Sequence, residues 1–315
     1  MELALAIDVG GTKIAVGVVD ESGRLVERAS APTHSSPDQA ERPGRVDPAN
    51  PDASADGAGE SIYDRIVELA SRFGPFERFA CCGVGCAGPM TSGGELVSPL
   101  NIEAFRSFPL AARLRATTGL ECRVDNDAKA LALAEGWVGA AVGVGDYMAM
   151  VVSTGVGGGI VLNGRLLEGG SGNAGHIGQL VVATPGRSIP SHVAGTLEAE
   201  ASGTAIAIHS GHEAREAPTA VVAEAGTHVG RAAGSVANLL DLKLVVVAGA
   251  VALGYGEPFF AAAQAEMDRI CRLDFSRGAR IEPAGCGDEG PLIGAGAVGF
   301  RAIGRPVGPL AAAGS

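Results

Sequence analysis

The sequence predicts an α/β protein of two lobes, on three observations. The chain has 315 residues, a length of about two domains. Short apolar runs of strand type alternate with helical stretches along most of it. One pattern also occurs twice, over residues 3–25 and again over 147–166: an apolar strand, a Gly-rich turn, a second apolar strand, then a polar turn containing Gly-Arg-Leu.

The elements follow in order. Leu3 to Ile7 reads as a buried strand, Gly10-Gly11 as its turn, Ile14 to Val19 as the returning strand, and Leu25-Val26-Glu27 as the start of a third. Residues 31–60 are rich in Pro, Asp, Ser, Gly and Ala, with no aromatic, and predict a long surface loop. A helix is expected over 61–73, with Ile62, Ile66, Leu69 and Ala70 on one face. Phe79 to Val84 is a strand, Leu110 to Thr118 a helix, Glu121 to Val124 a strand, and Ala128 to Ala140 an Ala-rich helix.

The second unit begins near Tyr147. Met148 to Val152 leads into Ser153-Thr154-Gly155-Val156-Gly157-Gly158-Gly159, and Ile160-Val161-Leu162 leaves it. Helices are expected over much of 196–240, a strand over Leu244–Ala248, and helices over 257–272 and 294–302. The end, from Gly304, reads as a loose tail. The lobes are expected at 1–118 and 119–293, with the last helix, about 294–303, completing the first and 304–315 as the tail.

Composition narrows the function. The formal net charge is -11 and no Lys/Arg run is present, which argues against a nucleic-acid binder. It does not argue against a phosphate ligand, because backbone N–H groups and a metal ion hold phosphates whatever the global charge. None of Cys81, Cys82, Cys86, Cys122, Cys271 and Cys286 forms a C-x-x-C pair, so reduced, mostly buried thiols in a cytoplasmic protein are expected. Glu2 and Asp8 argue against a secretory signal, and the apolar stretch 242–252 is too short to span a bilayer.

Four motifs carry chemistry. In Asp8-Val9-Gly10-Gly11-Thr12-Lys13 the glycines let the backbone approach a phosphate chain, Thr12 offers a hydroxyl and Lys13 a charge. Asp8, ending a buried strand, is placed to hold Mg²⁺ directly or through water. A plain hairpin turn with Asp8 as its cap is the alternative. Ser153 to Gly159 has the same logic, and two such loops suggest a nucleotide held between two lobes. In Asp125-Asn126-Asp127 a carboxylate at a strand–helix junction can orient a hydroxyl and accept its proton during attack on phosphorus. One of these Asp residues can instead be only the helix N-cap. In Gly172-Asn173-Ala174-Gly175-His176-Ile177-Gly178-Gln179 a His in a Gly-rich loop can bond a polyol, or serve structure alone. Gly83 to Gly88 formally matches the dinucleotide fingerprint, but Pro89, Gly93 and Gly94 follow where a helix should open.

Together these pieces resemble the ROK family of sugar kinases, within the actin-like ATPase superfamily. The resemblance adds Gly83 to Pro89, Ser98-Pro99-Leu100-Asn101-Ile102, Glu135-Gly136 and Val247-Ala248-Gly249-Ala250-Val251 to the motifs above, in order along nearly the whole chain. It implies a two-lobed, ribonuclease H-like fold with a nucleotide and sugar cleft between the lobes. It implies ATP with Mg²⁺, Asp127 as general base, and Gly88, Asn101, Asn126, Asp127, His176 and Glu198 on the sugar. Gly10, Gly11, Thr12, Lys13, Thr154, Gly155, Gly157, Gly158, Gly249 and Ala250 would hold the nucleotide. A homodimer without membrane or nucleic-acid partners is also implied.

Two departures matter. The family loop usually reads G-E-I-G-H, with the Glu on sugar and the His on a structural zinc; here His176 and Gln179 stand at those positions. The zinc cysteines are absent, since no Cys lies between Cys122 and Cys271, so no zinc is expected and packing or hydrogen bonds must hold residues 183–197. The reading is a glucokinase-like hexose kinase. Alternatives are a kinase for N-acetylmannosamine, N-acetylglucosamine, mannose, fructose or allose, a polyphosphate-dependent enzyme, or a non-catalytic sugar-binding regulator. Repressors in the family carry a helix-turn-helix domain ahead of the kinase-like part, and this sequence opens on the phosphate-loop strand.

Overall fold

The computed structural model describes residues 1–34, 55–190 and 192–307. The first elements are β1 (Leu3–Val9), β2 (Lys13–Asp20), β3 (Leu25–Pro32), α1 (Ala55–Ser71), β4 (Cys81–Cys86), α2 (Leu110–Thr118), β5 (Cys122–Asn126) and α3 (Asp127–Val138). Then come β6 (Tyr147–Val152), β7 (Val156–Leu162), β8 (Arg165–Leu166), α4 (Leu197–Ala201), α5 (Gly203–Ser210) and α6 (Thr219–Leu240). The chain continues through β9 (Leu244–Ala248), α7 (Ala250–Tyr255), α8 (Glu257–Ile270), β10 (Arg280–Pro283) and α9 (Gly290–Ala302).

The described residues form two compact units. The first takes residues 1–134, 168–173 and 288 onward, and the second takes 135–167 and 174–287. Each holds one five-stranded sheet, in the orders β3-β2-β1-β4-β5 and β10-β9-β6-β7-β8. The two sheets share one plan. The first strand of each (β1, β6) runs antiparallel to the next and parallel to a later one (β4, β9), which pairs in parallel with the last. The repeated sequence pattern is therefore the hairpin at the centre of each sheet.

In the first unit, Ile62, Ile66, Leu69 and Ala70 of α1 are buried in one cluster with Leu5, Ile7, Val16 and Val84. The helical period of those four residues is what turns them to the sheet. On α9 the contact is made by backbone. A Cβ on Gly83 would lie 1.9 Å from the Ala295 carbonyl oxygen, and one on Gly294 would lie 2.2 Å from that of Ala130. In the second unit α6 and α8 meet the same way. Cβ atoms on Gly226 and Gly230 would lie 2.4 Å and 2.1 Å from the carbonyl oxygens of Phe259 and Ala263.

The structure moves several boundaries. β5 pairs with β4 from Cys82↔Cys122 to Cys86↔Asn126, so it belongs to the first sheet, and the division between units falls after Ala134 rather than after residue 118. α1 begins at Ala55, inside the expected 31–60 loop, while residues 35–54 of that loop lie outside the described residues. The last helix begins at Gly290 because Pro291 suits the first helical turn, where its missing N–H costs nothing. Of the expected tail, residues 308–315 lie outside the described residues. No helix follows β4 directly; a short 3-10 turn at Ser92–Gly94 comes first, as the rejection of a dinucleotide fold requires.

Candidate active site

The first unit gathers its polar residues at the ends of β1, β4 and β5. Asp8 and Val9 close β1, and the chain turns through Gly10 and Gly11 into β2, with Gly10 N–H donating to Lys13 O at 3.0 Å. Thr33, buried just after β3, pins this turn: its hydroxyl donates to Gly10 O at 2.7 Å and its N–H to Thr12 O at 3.0 Å. Asn101 lies over Gly11, where a Cβ would come 2.9 Å from Asn101 Nδ2. Leu100 N–H donates to Gly88 O at 3.3 Å and Ser98 N–H to Pro89 O at 2.9 Å, which ties the Asn101 segment to the Gly88 segment.

Asp8 sits opposite Gly85 in the parallel pairing of β1 with β4, and Gly85 sits opposite Asp125 on β5. A Cβ on Gly85 would lie 3.7 Å from both Asp8 Oδ1 and Asp127 Cα, so this glycine is the floor between the two acids. Burial pushes the Asp8 carboxyl up to about 7; the Asp127 charge adds to the rise and Lys13 opposes it. The Cys86 thiol beside them is raised well above the usual thiol range by burial and by both carboxylates.

Each residue of the Asp125–Asp127 run has its own place. Asp125 is buried and faces Lys129 Nζ at 2.9 Å. Lys129, itself buried, also pairs with Glu168 and donates to Gly172 O at 3.1 Å. Asn126 Oδ1 accepts the N–H of Ala128 at 3.0 Å and of Lys129 at 3.4 Å, so it caps α3. Asp127 is the first residue of that helix, half-buried, with Oδ1 on the N–H of Ala128 at 2.8 Å.

In the second unit the turn between β6 and β7 carries Ser153, Thr154 and Gly155. Gly203 N–H donates to Ser153 O at 2.7 Å and the Thr204 hydroxyl to Thr154 O at 2.9 Å, so the start of α5 holds the turn. Gly249 adjoins it with φ 101°, a left-handed value suited to Gly, and its Cβ would meet Val152 O at 2.3 Å. Ala250 opens α7 there. Gly157 and Gly158 lie in β7 opposite Val151 and Met150. The loop with His176 packs on β7 through glycine: Cβ atoms on Gly175 and Gly178 would meet Gly158 O at 2.0 Å and Val156 O at 2.4 Å. His176 itself is exposed. Glu198, on α4, accepts the N–H of Val156 at 3.0 Å through Oε2.

Charges anchor residues 183–197. Glu200 is buried and accepts the N–H of Arg187 at 2.5 Å, while the Arg187 guanidinium donates to both oxygens of Glu224 at 2.7 Å. Among the described residues no group of three or more His, Cys, Asp or Glu could hold a metal ion.

Thus the first unit brings Asp8, Gly10, Gly11, Thr12, Lys13, Gly88, Asn101, Asn126 and Asp127 to one end of its sheet. The second brings Thr154, Gly155, Gly157, Gly158, His176, Glu198, Gly249 and Ala250 around the β6–β7 turn. Sequence reasoning missed Thr33, Lys129, Arg187 and Glu200, which act through partners far along the chain, and His192, whose Nε2 lies 2.8 Å from Glu198 Oε1.

The sequence matches the profile of the ROK family over residues 4–300. The chain belongs to the ROK family. An N-acetylmannosamine kinase of Yersinia pestis is 33% identical to this ROK protein over 275 residues, covering 81% of this chain and 86% of that one. The ROK hexokinase from Thermus thermophilus is 30% identical with a TM-score of 0.73, covering 96% of this chain and 99% of that one. The ROK family glucokinase from Streptomyces griseus, solved with glucose and AMPPNP, is 24% identical with a TM-score of 0.77, covering 95% and 99%. The two-sheet architecture of this ROK protein is accordingly the actin-like ATPase fold. No described helix is long and apolar enough to cross a membrane.

Proposed function

We propose that this ROK protein is a sugar kinase that transfers the γ-phosphoryl group of ATP to a hexose hydroxyl, with N-acetylmannosamine and glucose as the first substrates to test. One observation carries the reading: Asp8 at the end of β1 and Asp127 just past the end of β5 flank Gly85 of the intervening β4, while Asn126 Oδ1 caps α3. The kinases named above support it, and the N-acetylmannosamine kinase is the reason that sugar stands beside glucose.

The Asp127 carboxylate accepts the proton of the attacking hydroxyl, and Asn126 and Asn101 orient the sugar beside it. Gly88, His176 and Glu198 supply further polar contacts to the sugar. Gly10, Gly11, Thr12 and Lys13 are phosphate-binding in this reading, as are Thr154, Gly155, Gly157 and Gly158, with Gly249 and Ala250 on the adenosine. Phosphoryl transfer asks for little covalent chemistry, so positioning and charge stabilisation provide most of the rate. Asp8 fits a hard divalent cation. Its half-buried carboxyl is raised first by desolvation and then by the Asp127 charge, both of which a bound cation would oppose. Mg²⁺ there, directly or through water, would neutralise phosphate charge.

A coupled ADP-release assay over a panel of hexoses and N-acetylhexosamines, with ATP and with polyphosphate, tests the reading. Turnover of at least one sugar with ATP is expected. Sugar binding without turnover on any member would make the protein a sensor instead.

A further inference from the structure

Glu198 is where three loops of the second unit meet. Its Oε2 takes the N–H of Val156 at 3.0 Å. The backbones of Gly155 and Gly178 press on it, since their Cβ atoms would lie 3.4 Å from Oε1 and 2.8 Å from Oε2. The remaining neighbour is His192, from residues 183–197. Its Nε2 lies 2.8 Å from Glu198 Oε1, and the two side chains are only 10% and 18% exposed. Its Nδ1 lies 2.9 Å from Pro190 O. Nε2 is buried and makes no aligned hydrogen bond, so its approach to the carboxylate is a close contact at ion-pair distance.

The contact of Nδ1 with Pro190 O orients the ring and sets Nε2 against Glu198 Oε1.

We infer that His192 is a positioning residue for sugar recognition, fixing the plane of the Glu198 carboxylate from the side opposite Val156. The inference rests on the reading of Glu198 as a sugar ligand. Each carboxylate oxygen keeps a further lone pair after these two contacts, so both remain able to accept from a sugar hydroxyl. His192 touches no reacting atom and acts through Glu198. It is not needed to fold residues 183–197. Arg187 already ties that segment to Glu200 and Glu224, and Gly195 N–H donates to Arg187 O at 2.7 Å.

The test is steady-state kinetics of the full chain with its accepted sugar and ATP, beside His192→Ala, His192→Gln and Glu198→Gln. His192→Ala is expected to raise the sugar KM by ~10-fold, the scale of one lost polar contact. Its kcat and ATP KM stay within about twofold, because uniform sugar binding alone is lost. In His192→Gln a side-chain amide can donate to Oε1, and the sugar KM returns to within about threefold of the parent. An unchanged sugar KM in His192→Ala, or an equal rise in the ATP KM, overturns the inference. So does a His192→Ala chain that fails to fold, since that makes the residue structural. If Glu198→Gln raises the sugar KM while His192→Ala does not, the inference fails alone. If Glu198→Gln leaves it unchanged, the reading of Glu198 fails and takes the inference with it.

Discussion

Asn126 Oδ1 accepts the backbone N–H of Ala128 at 3.0 Å, so the residue before Asp127 does the capping of α3. Removing the Asp127 carboxylate should then cost rate more than stability. Asp127→Ala is expected to lower kcat by at least ~10²-fold, the scale of a positioned general base. Its melting temperature should move by only a few degrees. Near-normal turnover in the coupled assay would contradict the role.

Asp8 gives a pH signature. Its carboxyl is raised from 3.8 to about 7 by burial, then by the Asp127 charge, against the pull of Lys13. A group with a raised folded value contributes stability that is full below about pH 4 and is lost as pH rises through about 7. The protein without ligands should therefore lose stability across that window. Asp8→Asn should flatten the loss, melting higher than the parent at pH 8, while its kcat falls sharply. Thermal melts at pH 5 and pH 8 decide this; an identical pH trend in parent and variant would refute it.

Glu135 shows what a buried carboxylate does when it serves structure alone. It has no exposed surface and accepts the N–H groups of Ala140, Gly285 and Cys286 at 2.8, 2.9 and 3.0 Å. Glu135→Gln should destabilise the fold by about 2–3 kcal/mol, because an amide cannot accept from donors on both of its heavy atoms. Urea titration should show a lower midpoint at unchanged slope.

Lys129 should behave differently with pH. Lys129→Met leaves the buried Asp125 without its cation, at a cost of about 3 kcal/mol at pH 8. Burial already raises the Asp125 carboxyl, so it takes up a proton readily once the cation is gone, and the loss should shrink at pH 5. Equal losses at the two pH values would show that packing of the lysine stem, not its charge, matters.

The hairpins and their glycine turns were legible in the sequence because each demands one composition over consecutive residues. Leu3–Val9 and Tyr147–Val152 are buried along most of their length, and an apolar run is the sequence image of that. The Asp125–Asp127 junction was legible as strand meeting helix, but not which residue caps, since all three side chains can. β10 was not legible: its residues alternate exposed and buried around the single apolar Ile281, too little for a period to show. Thr33 and His192 were also out of reach. Thr33 acts on Gly10, 23 residues back, and His192 on Glu198 through a loop that has no periodic pattern. Sequence reading asked that packing or hydrogen bonds hold residues 183–197, and the structure shows a charged anchor at Glu200.

The close approach of α6 to α8 has an evolutionary side. Where helices meet through side chains, a larger residue on one can be met by a smaller residue on the other, and the pair drifts together. At Gly226 and Gly230 the opposing atoms are the main-chain carbonyl oxygens of Phe259 and Ala263, which no substitution can shrink. Replacement there has no compensating partner, so these two positions are fixed by geometry independently of whichever sugar the enzyme accepts.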